Sequence, residues 1–388
     1  ASLSLSAIGT LLAAMVLVAA GAAATRGPAA TAVFAAFCAA WLFTGLLNVA
    51  IGAFQVFAPG WADGEWIARS GMAGRAVGNL RQPNHLSSLL LWAAIGLVGL
   101  IELRQLRLRL GAALMAVIVF GVVLTASRTG VVGIGLLAAW ALIDRRLARG
   151  TRGLLLATPL LYAIGWALMA AWSRVAQATF GGEARLAEAD LSASRFGIWA
   201  DTLSLIRAQP WTGVGFGEFN FAWTLSPMPQ RPTAFFDHSH NLPLQLAAEL
   251  GLPLAALVMG LLLLGLWRGL QRGRRATGEA SLTARCAVSM LVLIGLHSLL
   301  EYPLWYSYFL LPAAFAFGLA LGPGGPAADA EAEGVTDGAS SRTPGRTLLA
   351  TAGLAVALGG VLAAADYARV AALFSTRDQA TPLAQRIE

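Results

Sequence analysis

The chain has 388 residues, of which 57% are hydrophobic and 12% are charged, whereas a soluble domain carries about 25% charged residues. Apolar runs long enough to cross a bilayer recur along the chain, which argues against a large soluble helical core. The net charge is +7, and every basic residue is Arg, which excludes Lys-dependent chemistry such as a Walker loop or a Schiff base. Because the arginines are scattered among short loops, we expect membrane orientation and no nucleic-acid partner.

Ten transmembrane spans are predicted, at about 4–24, 30–57, 84–101, 110–126, 129–143, 153–172, 241–267, 286–300, 305–322 and 347–365. The expected fold class is all-α, a polytopic membrane protein with about 10–12 transmembrane helices and a large periplasmic loop bearing short helices. Cys38 and Cys286 lie inside apolar runs and are interpreted as small core residues. The chain begins at Ala1 without a basic n-region, so no signal peptide is predicted, and we expect the natural N-terminus to lie upstream.

Three Arg-rich loops predict the orientation of the spans. They contain Arg104, Arg107 and Arg109; Arg145, Arg146, Arg149 and Arg152; and Arg268, Arg272, Arg274, Arg275 and Arg285. Even numbers of spans separate these loops, so one orientation places all three in the cytoplasm. The membrane is then expected to be the bacterial inner membrane. The predicted organisation is then N-terminal transmembrane helices at 1–172, a large periplasmic loop at 173–240, C-terminal transmembrane helices at 241–365 with a flexible cytoplasmic linker at 323–346, and a periplasmic tail at 366–388.

Four polar groups lie at the periplasmic ends of the predicted spans. They are Arg81-Gln82-Pro83-Asn84-His85, Ser127-Arg128-Thr129, His240-Asn241 followed by Gln245 and Glu249, and Glu301-Tyr302-Pro303. Each group has a structural alternative: Arg128 can snorkel to headgroups, Asn84 can cap a helix, and polar side chains can join helices. His297, alone on an apolar face, is interpreted as a core histidine. Because all four groups lie at one face of the membrane, we expect a functional site there.

The densest polar group is Asp237-His238-Ser239-His240-Asn241, directly before the seventh span. A His-x-His pair beside Asp237 suits a metal, but no further ligand follows at usable spacing, so no metal is predicted. No Gly-x-Ser-x-Gly turn is present for a serine nucleophile. Two interpretations are left open, an interfacial helix cap and a general base. The positive end of a helix dipole disfavours the imidazolium and keeps a neutral base available.

The stretch His240-Asn241, nine further residues and Gly251 resembles the signature of the bacterial O-antigen ligase superfamily, which includes O-antigen polymerases and protein O-oligosaccharyltransferases. The usual second Gly of that signature is replaced by Leu254. The stretches that resemble pilin-type O-glycosylation ligases most are Asn79-Leu80-Arg81-Gln82-Pro83-Asn84-His85, Asp237-His238-Ser239-His240-Asn241 and Glu301-Tyr302-Pro303-Leu304-Trp305. The resemblance covers most of the chain, roughly 40–370.

The resemblance implies a glycan carried on undecaprenyl diphosphate and moved en bloc, with inversion, to an acceptor hydroxyl. It implies that His240 takes the hydroxyl proton, while Arg195 and then Arg128 stabilise the leaving diphosphate. It implies no metal and no other cofactor. The residues expected to bind sugar or acceptor are Arg81, Gln82, Asn84, His85, His238, Asn241 and Tyr302.

The expected partners are therefore the lipid-linked donor, membrane lipids and an acceptor, which is a pilin-like protein or lipid A–core. The motifs favour a protein acceptor slightly, and an O-antigen polymerase is a further alternative. A transporter of lipid-linked glycans is the alternative from another class. It predicts inverted repeats and polar residues at the bilayer midplane, whereas the polar residues here gather at one face.

Overall fold

The computed structural model describes residues 2–187, 192–228, 236–322 and scattered positions between 351 and 365. These ranges contain α-helices and short 3₁₀ turns and no β-strand. The helices are α1 Ser2–Ala24, α2 Ala30–Phe57, α3 Pro83–Glu102, α4 Leu108–Thr125, α5 Arg128–Ile143, α6 Arg149–Leu156, α7 Thr158–Ala176, α8 Gly181–Ala187, α9 Ser192–Ala208, α10 Phe219–Leu225, α11 Leu242–Arg275, α12 Gly278–Ser298 and α13 Ser307–Leu321.

The chain is an all-α, multi-pass membrane protein, which confirms the predicted fold class. Within the described residues, seven helices are long and apolar enough to cross a bilayer: α1, α2, α3, α4, the consecutive pair α6 and α7, α11 and α12. The apolar helices α5 and α13 are shorter. These helices coincide with nine of the ten predicted spans. The linker 323–346, most of the span 347–365 and the tail 366–388 lie outside the described residues.

Helix α3 lies at the centre of the bundle, in contact with α2, α4, α5 and α12. Its side chains are buried along almost the whole length, and the indole nitrogen of Trp92 donates a hydrogen bond to the carbonyl of Met290 at 3.0 Å. The helix backbones approach closely where side chains are small, as expected inside a membrane. A Cβ atom added at Gly96 would lie 2.8 Å from the carbonyl oxygen of Cys38. This packing fixes the first turn of α3, which carries Asn84.

The Arg-rich loops meet at one end of the bundle. The guanidinium of Arg146 donates to the carbonyls of Gly273, Arg274 and Ala276, where α11 ends. Arg285 pairs with Asp144 in the same region. Free carbonyls and the negative dipole end make a helix C-terminus a favourable place for arginine. The polar groups predicted to form a site lie at the opposite ends of α3, α5, α11, α12 and α13.

Helix α11 departs from the predicted span 241–267 because it runs to Arg275 and is broken at Gly251, where φ is 75° and ψ is 163°. The large apolar side chains exposed on α11 begin after the break, at Leu252, whereas Gln245 and Glu249 before it are buried. The lipid-facing part of α11 therefore starts at residue 252. The first turns of α11 belong with the loop that precedes them.

The glycine-rich turn that follows α9 packs against the break in α11 at Gly251. The amide of Leu252 donates to the carbonyl of Pro210 at 2.8 Å, and the amide of Gly215 donates to the carbonyl of Glu249 at 3.0 Å. A Cβ atom at residue 251 would lie 2.3 Å from the carbonyl oxygen of Trp211. Both the positive φ and this close approach require glycine at the signature position.

Replacing Gly251 with alanine should lower the stability of the protein in detergent. The backbone conformation of Gly251, with φ of 75° and ψ of 163°, alone costs an alanine about 1–3 kcal/mol, and the Cβ atom would also collide with the Trp211 backbone. Thermal unfolding measures the loss. Gly260→Ala is the matched control, because nothing lies within 4 Å of an added Cβ there. Equal melting temperatures for the two variants would contradict this account of Gly251.

Candidate active site

The carboxylate of Glu301 is the centre of the polar residues at this end of the bundle. It lies in the turn between α12 and α13 and is 7% exposed. Its Oε2 lies 2.7 Å from Nδ1 of His240. Its Oε1 accepts hydrogen bonds from Nη2 of Arg195 at 2.6 Å and from Nδ2 of Asn84 at 3.1 Å. Four segments that are distant in sequence therefore meet at one carboxylate.

The surroundings of Glu301 keep it ionised. Burial by itself would raise the pKa of this carboxyl, but the hydrogen bond with His240 and the positive charges of His240 and Arg195 outweigh burial and hold the pKa below its usual value. An ionised carboxylate only accepts hydrogen bonds. Nδ1 of His240 therefore carries a proton, and in the neutral imidazole the lone pair is on Nε2. Nε2 makes no hydrogen bond within the described part of the chain.

His240 lies outside α11, one residue before Asn241, which is the N-cap. Its φ of 55° is in the left-handed region, which few residues other than glycine adopt. The ring packs edge-on against Tyr302 and Phe236, with centroids 4.9 and 5.8 Å apart. The sequence predicted a histidine at the helix terminus. In the structure the side chain of His240 also points to Glu301. The imidazole therefore lies beside a carboxylate in addition to lying near the N-terminus of α11.

Two residues predicted to bind substrate act as helix N-caps. The side-chain oxygen of Gln82 accepts from the amide of His85 at 2.8 Å, at the start of α3. The side-chain oxygen of Asn241 accepts from the amide of Leu244 at 3.1 Å, while its Nδ2 donates to the carbonyl of Leu299. Both side chains satisfy amides at helix N-termini and fix the chain entering each helix. Asn241 thereby also ties the segment of His240 to the end of α12.

Asn84 connects Glu301 to the start of α5. Its Oδ1 accepts from the hydroxyl of Ser127 at 2.7 Å, and Ser127 in turn caps α5 by accepting from the amide of Gly130. Arg128, the first residue of α5, is exposed and makes no hydrogen bond or ion pair with the described residues. The structure thus brings Arg128 to the same end of the bundle as Arg195, without direct contact with Glu301.

His238 and Tyr302 form a stack beside His240. Their ring centroids lie 4.3 Å apart with an interplanar angle of 10°, and Trp305 packs against His238 at 5.1 Å. Asp237 Oδ1 lies 3.0 Å from His238 Nδ1, but the angles are unsuitable for a hydrogen bond. Burial lowers the pKa of His238 despite this carboxylate, and burial also raises the pKa of Tyr302. The lowered pKa keeps His238 neutral near pH 7.

The remaining predicted residues lie further from Glu301. His85 is buried, and its Nδ1 lies 2.7 Å from the hydroxyl of Tyr308. Arg81 is exposed and donates to the carbonyl of Gly64 at 3.2 Å, in the loop before α3. No group of three or more His, Cys, Asp or Glu side chains that could hold a metal ion is found among the described residues.

Sequence reasoning misses Glu301 as a site residue. The motif Glu301-Tyr302-Pro303 indicates a polar break between two spans, and Tyr302 is its only residue predicted to bind substrate. The available signal was a lone carboxylate at a membrane face that also carried arginines and histidines, since such a charge needs a partner.

Gln245 and Glu249 hydrogen-bond each other at 2.9 Å, and Gln245 accepts from the amide of Ser239. They therefore fix the segment before His240.

Three family models match parts of the chain. A model described as O-antigen ligase matches residues 110–259. One described as protein glycosylation ligase matches residues 76–100, and one described as virulence factor membrane-bound polymerase, C-terminal, matches residues 286–388. Each residue that meets at Glu301 falls within one of these ranges. Separate parts of the chain are thus similar to O-antigen ligases and to a protein glycosylation ligase.

Two curated relatives come from Acinetobacter baylyi (strain ATCC 33305 / BD413 / ADP1). The chain is 30% identical over 255 residues to a general O-oligosaccharyltransferase, an alignment that covers 63% of this chain and 43% of the relative. It is 28% identical over 257 residues to a ComP-specific O-oligosaccharyltransferase, with 63% of this chain and 44% of the relative covered. The aligned part is thus less than half of each relative.

Proposed function

We propose that this protein belongs to the superfamily of O-antigen ligases and protein O-oligosaccharyltransferases, and that it transfers a glycan en bloc from undecaprenyl diphosphate to an acceptor hydroxyl in the periplasm. The observation that carries the proposal is the shared carboxylate of Glu301, which contacts Nδ1 of His240 through one oxygen and Nη2 of Arg195 through the other. The Glu301 carboxylate thus connects His240, the proposed general base, with Arg195, the proposed phosphate-binding cation. The family matches and the two O-oligosaccharyltransferase relatives support the same activity.

His240 is the base in this mechanism. Glu301 holds the Nδ1 proton, so Nε2 takes the proton from the acceptor hydroxyl. The hydroxyl oxygen forms a bond to the anomeric carbon of the first sugar as the bond from that carbon to the diphosphate oxygen breaks. Attack opposite the leaving group inverts the anomeric configuration. The electron pair of the broken bond leaves with the lipid diphosphate, and the transferred proton is on His240.

Arginine side chains neutralise the departing diphosphate. Arg195 uses Nη2 to bind Glu301, and the other donors of its planar guanidinium suit a phosphate. Arg128 is exposed on the first turn of α5, where backbone amides and the helix dipole also favour an anion. The proposal needs no metal or other cofactor. His238 and Tyr302, which stack on each other beside His240, are the residues proposed to contact the sugar or the acceptor.

The position of the site in the membrane follows from the Arg-rich loops. These loops meet at one end of the bundle, and loops of this kind remain in the cytoplasm. Glu301 lies at the other ends of the same helices. The proposed location is therefore the bacterial inner membrane, with the active site facing the periplasm and the lipid-linked donor entering from the bilayer.

A protein hydroxyl is the preferred acceptor in this proposal, because both curated relatives are named as O-oligosaccharyltransferases and a protein glycosylation ligase model matches residues 76–100. A second candidate function is transfer to lipid A–core. It is supported by the O-antigen ligase model that matches residues 110–259. The polymerase model at 286–388 supports a third acceptor, another lipid-linked repeat unit.

Cells that supply a lipid-linked glycan together with a pilin-like protein and a lipid A–core acceptor test the proposal. We expect the glycan on the protein, with loss of the product when His240 is replaced by glycine. Glycan on lipid A–core alone would establish the second candidate function. Movement of the lipid-linked glycan across the membrane with no covalent product on any acceptor would contradict a transferase and support transport.

A further inference from the structure

A polar cleft of about 730 Å³ lies at the end of the bundle that carries the Arg-rich loops, far from Glu301. It lies where α3 ends and α12 begins, and the loop between α5 and α6 also contributes to it. This volume falls in the range of clefts that bind small ligands, about 300–1,000 Å³. The charged residues that line the cleft are Glu102, Arg104, Arg146, Glu279 and Arg285.

Of the three arginines that line the cleft, two are engaged by the protein itself. Arg146 donates to carbonyls at the end of α11, and Arg285 pairs with Asp144. Arg104 makes no hydrogen bond or ion pair with any residue that the structure describes. Its planar guanidinium is therefore free to bind a phosphate or carboxylate of a ligand.

The two carboxylates of the cleft are held by neutral groups. Glu102 accepts hydrogen bonds from the amide of Ala148 and the hydroxyl of Thr151, where α6 begins. Glu279 accepts from the hydroxyl of Thr31 on α2. Neither carboxylate forms an ion pair within the described ranges. The cleft therefore contains a cation and two anions that lack counterions, and a ligand with charges of both signs complements it.

The first turn of α12 adds backbone donors to the cationic part of the cleft. Thr277 is the N-cap of this 21-residue helix, and its side chain makes no capping hydrogen bond. Both Thr277 and Gly278 line the cleft. The amides at a helix N-terminus have no intrahelical partner, and together with the helix dipole they favour phosphate. Arg104 and the start of α12 thus supply a charge and hydrogen-bond donors for one phosphate.

The cleft lies at the level where the membrane-spanning helices end. Helix α3 ends at Glu102 and α12 begins at Gly278. The exposed leucines of α4 begin at Leu108, four residues after Arg104. Charged residues at the ends of apolar helices lie among the lipid headgroups. A headgroup can therefore occupy the cleft while its acyl chains remain in the bilayer.

We propose that this cleft binds the headgroup of a zwitterionic aminophospholipid, with its phosphate at Arg104 and the start of α12 and its ammonium group at Glu102 and Glu279. The lipid belongs to the leaflet beside the Arg-rich loops. Glu301 lies at the opposite ends of the helices, so this site is separate from the proposed transfer reaction. A phospholipid that carries the phosphate but no ammonium group leaves the two carboxylates without a counterion and binds more weakly.

Native mass spectrometry of the detergent-solubilised protein tests the phosphate contact. The protein is titrated with phosphatidylethanolamine and with phosphatidylglycerol that has the same acyl chains. We expect Arg104→Gln to weaken the binding of both lipids about tenfold, the contribution of one charge-assisted hydrogen bond. Arg107→Gln is the matched control, because it removes the same charge from the same loop and Arg107 does not line the cleft. It should leave both affinities unchanged.

Headgroup selectivity tests the ammonium contact. Wild type should bind phosphatidylethanolamine more tightly than phosphatidylglycerol, again by about tenfold. Glu279→Gln keeps an oxygen that can accept from Thr31 but removes the charge, so it should lower the affinity for phosphatidylethanolamine alone and abolish the preference. Melting temperatures of the lipid-free variants equal to that of wild type would show that each variant is folded.

Three results would overturn the inference. The first is equal affinity of wild type for the two phospholipids, and the second is equal binding by Arg104→Gln and Arg107→Gln. The third comes from glycerophosphoethanolamine, which carries the same headgroup without acyl chains. If this soluble compound displaces phosphatidylethanolamine at equal concentration, the cleft binds a soluble phosphate ester and not a lipid. We expect it to compete only at much higher concentration, because the bilayer part of the lipid contributes to binding.

Discussion

Replacing His240 with glycine should lower the rate of glycan transfer roughly 10²–10⁴-fold, the contribution of a positioned general base. Glycine is the cleanest replacement because His240 has a φ of 55°, which glycine adopts without strain while most other residues do not. In the proposed mechanism the loss should fall on kcat, since Arg195 and Arg128 would still bind the diphosphate of the donor. Steady-state kinetics with a lipid-linked donor and a protein acceptor measures it.

Two further variants separate the loss of a base from the loss of fold. Asparagine tolerates the left-handed region but cannot take the proton, so His240→Asn should be as inactive as the glycine variant. Gln177→Gly is the matched control, because Gln177 also has a positive φ, of 50°, at the end of α7. It should retain wild-type transfer. Full activity in either His240 variant would refute the base.

Replacing Glu301 with glutamine should cost about 10²-fold or more in kcat, although the two side chains have the same shape. The Oε1 position accepts hydrogen bonds from Arg195 and Asn84, so the amide oxygen of a glutamine would lie there. Its NH₂ group would then face Nδ1 of His240. Nδ1 would accept, the ring proton would move to Nε2, and Nε2 could no longer serve as a base.

Glu183→Gln is the control for this substitution, because Glu183 pairs with Arg174 at 3.3 Å in an exposed ion pair of a kind that contributes little. Nitrogen-15 chemical shifts of the His240 ring would report the tautomer directly. We expect the proton on Nδ1 in wild type and on Nε2 in Glu301→Gln. Unchanged shifts together with an unchanged rate would show that Glu301 does not orient the base.

The ion pairs of Glu301 should make stability depend on pH. The pKa of Glu301 is held below its usual value of 4.5, so the folded state prefers the ionised form and gains stability above that pH. This contribution should disappear as the pH falls through the lowered pKa. The difference in melting temperature between wild type and Glu301→Gln should therefore be large near neutral pH and shrink in acid. A melting-temperature difference that stays constant over the acid range would contradict the link between ionisation of Glu301 and stability.

Most of the membrane fold could be predicted from the sequence because the hydrocarbon layer requires every spanning segment to be a long, apolar helix. Nine predicted spans coincide with described helices, and the three Arg-rich loops that were expected on one side meet at one end of the bundle. Helix ends were less predictable. Helix α11 is broken at Gly251 by the backbone of Trp211, a contact between distant segments that no local pattern contains.

The set of residues that meet at Glu301 could be predicted only in part. The sequence indicated His240, Arg195 and Asn84, and the structure brings all three to one carboxylate. The roles of Gln82 and Asn241 as helix caps follow from backbone amides in three dimensions, which residue type alone leaves open. Glu301 was overlooked because its importance depends on three partners that are far apart in the chain. The spacing of residues along the sequence cannot reveal that these segments meet at one carboxylate.

Chemical rescue is the most direct test of the central claim, that His240 acts as a general base oriented by Glu301. Imidazole is added to purified His240→Gly with lipid-linked donor and acceptor, and the glycosylated product is quantified. We predict that transfer returns, increases with the concentration of neutral imidazole and saturates. A His240→Gly protein that transfers glycan at the wild-type rate without imidazole, or one that is folded and binds donor but stays inactive at every imidazole concentration, would contradict the account.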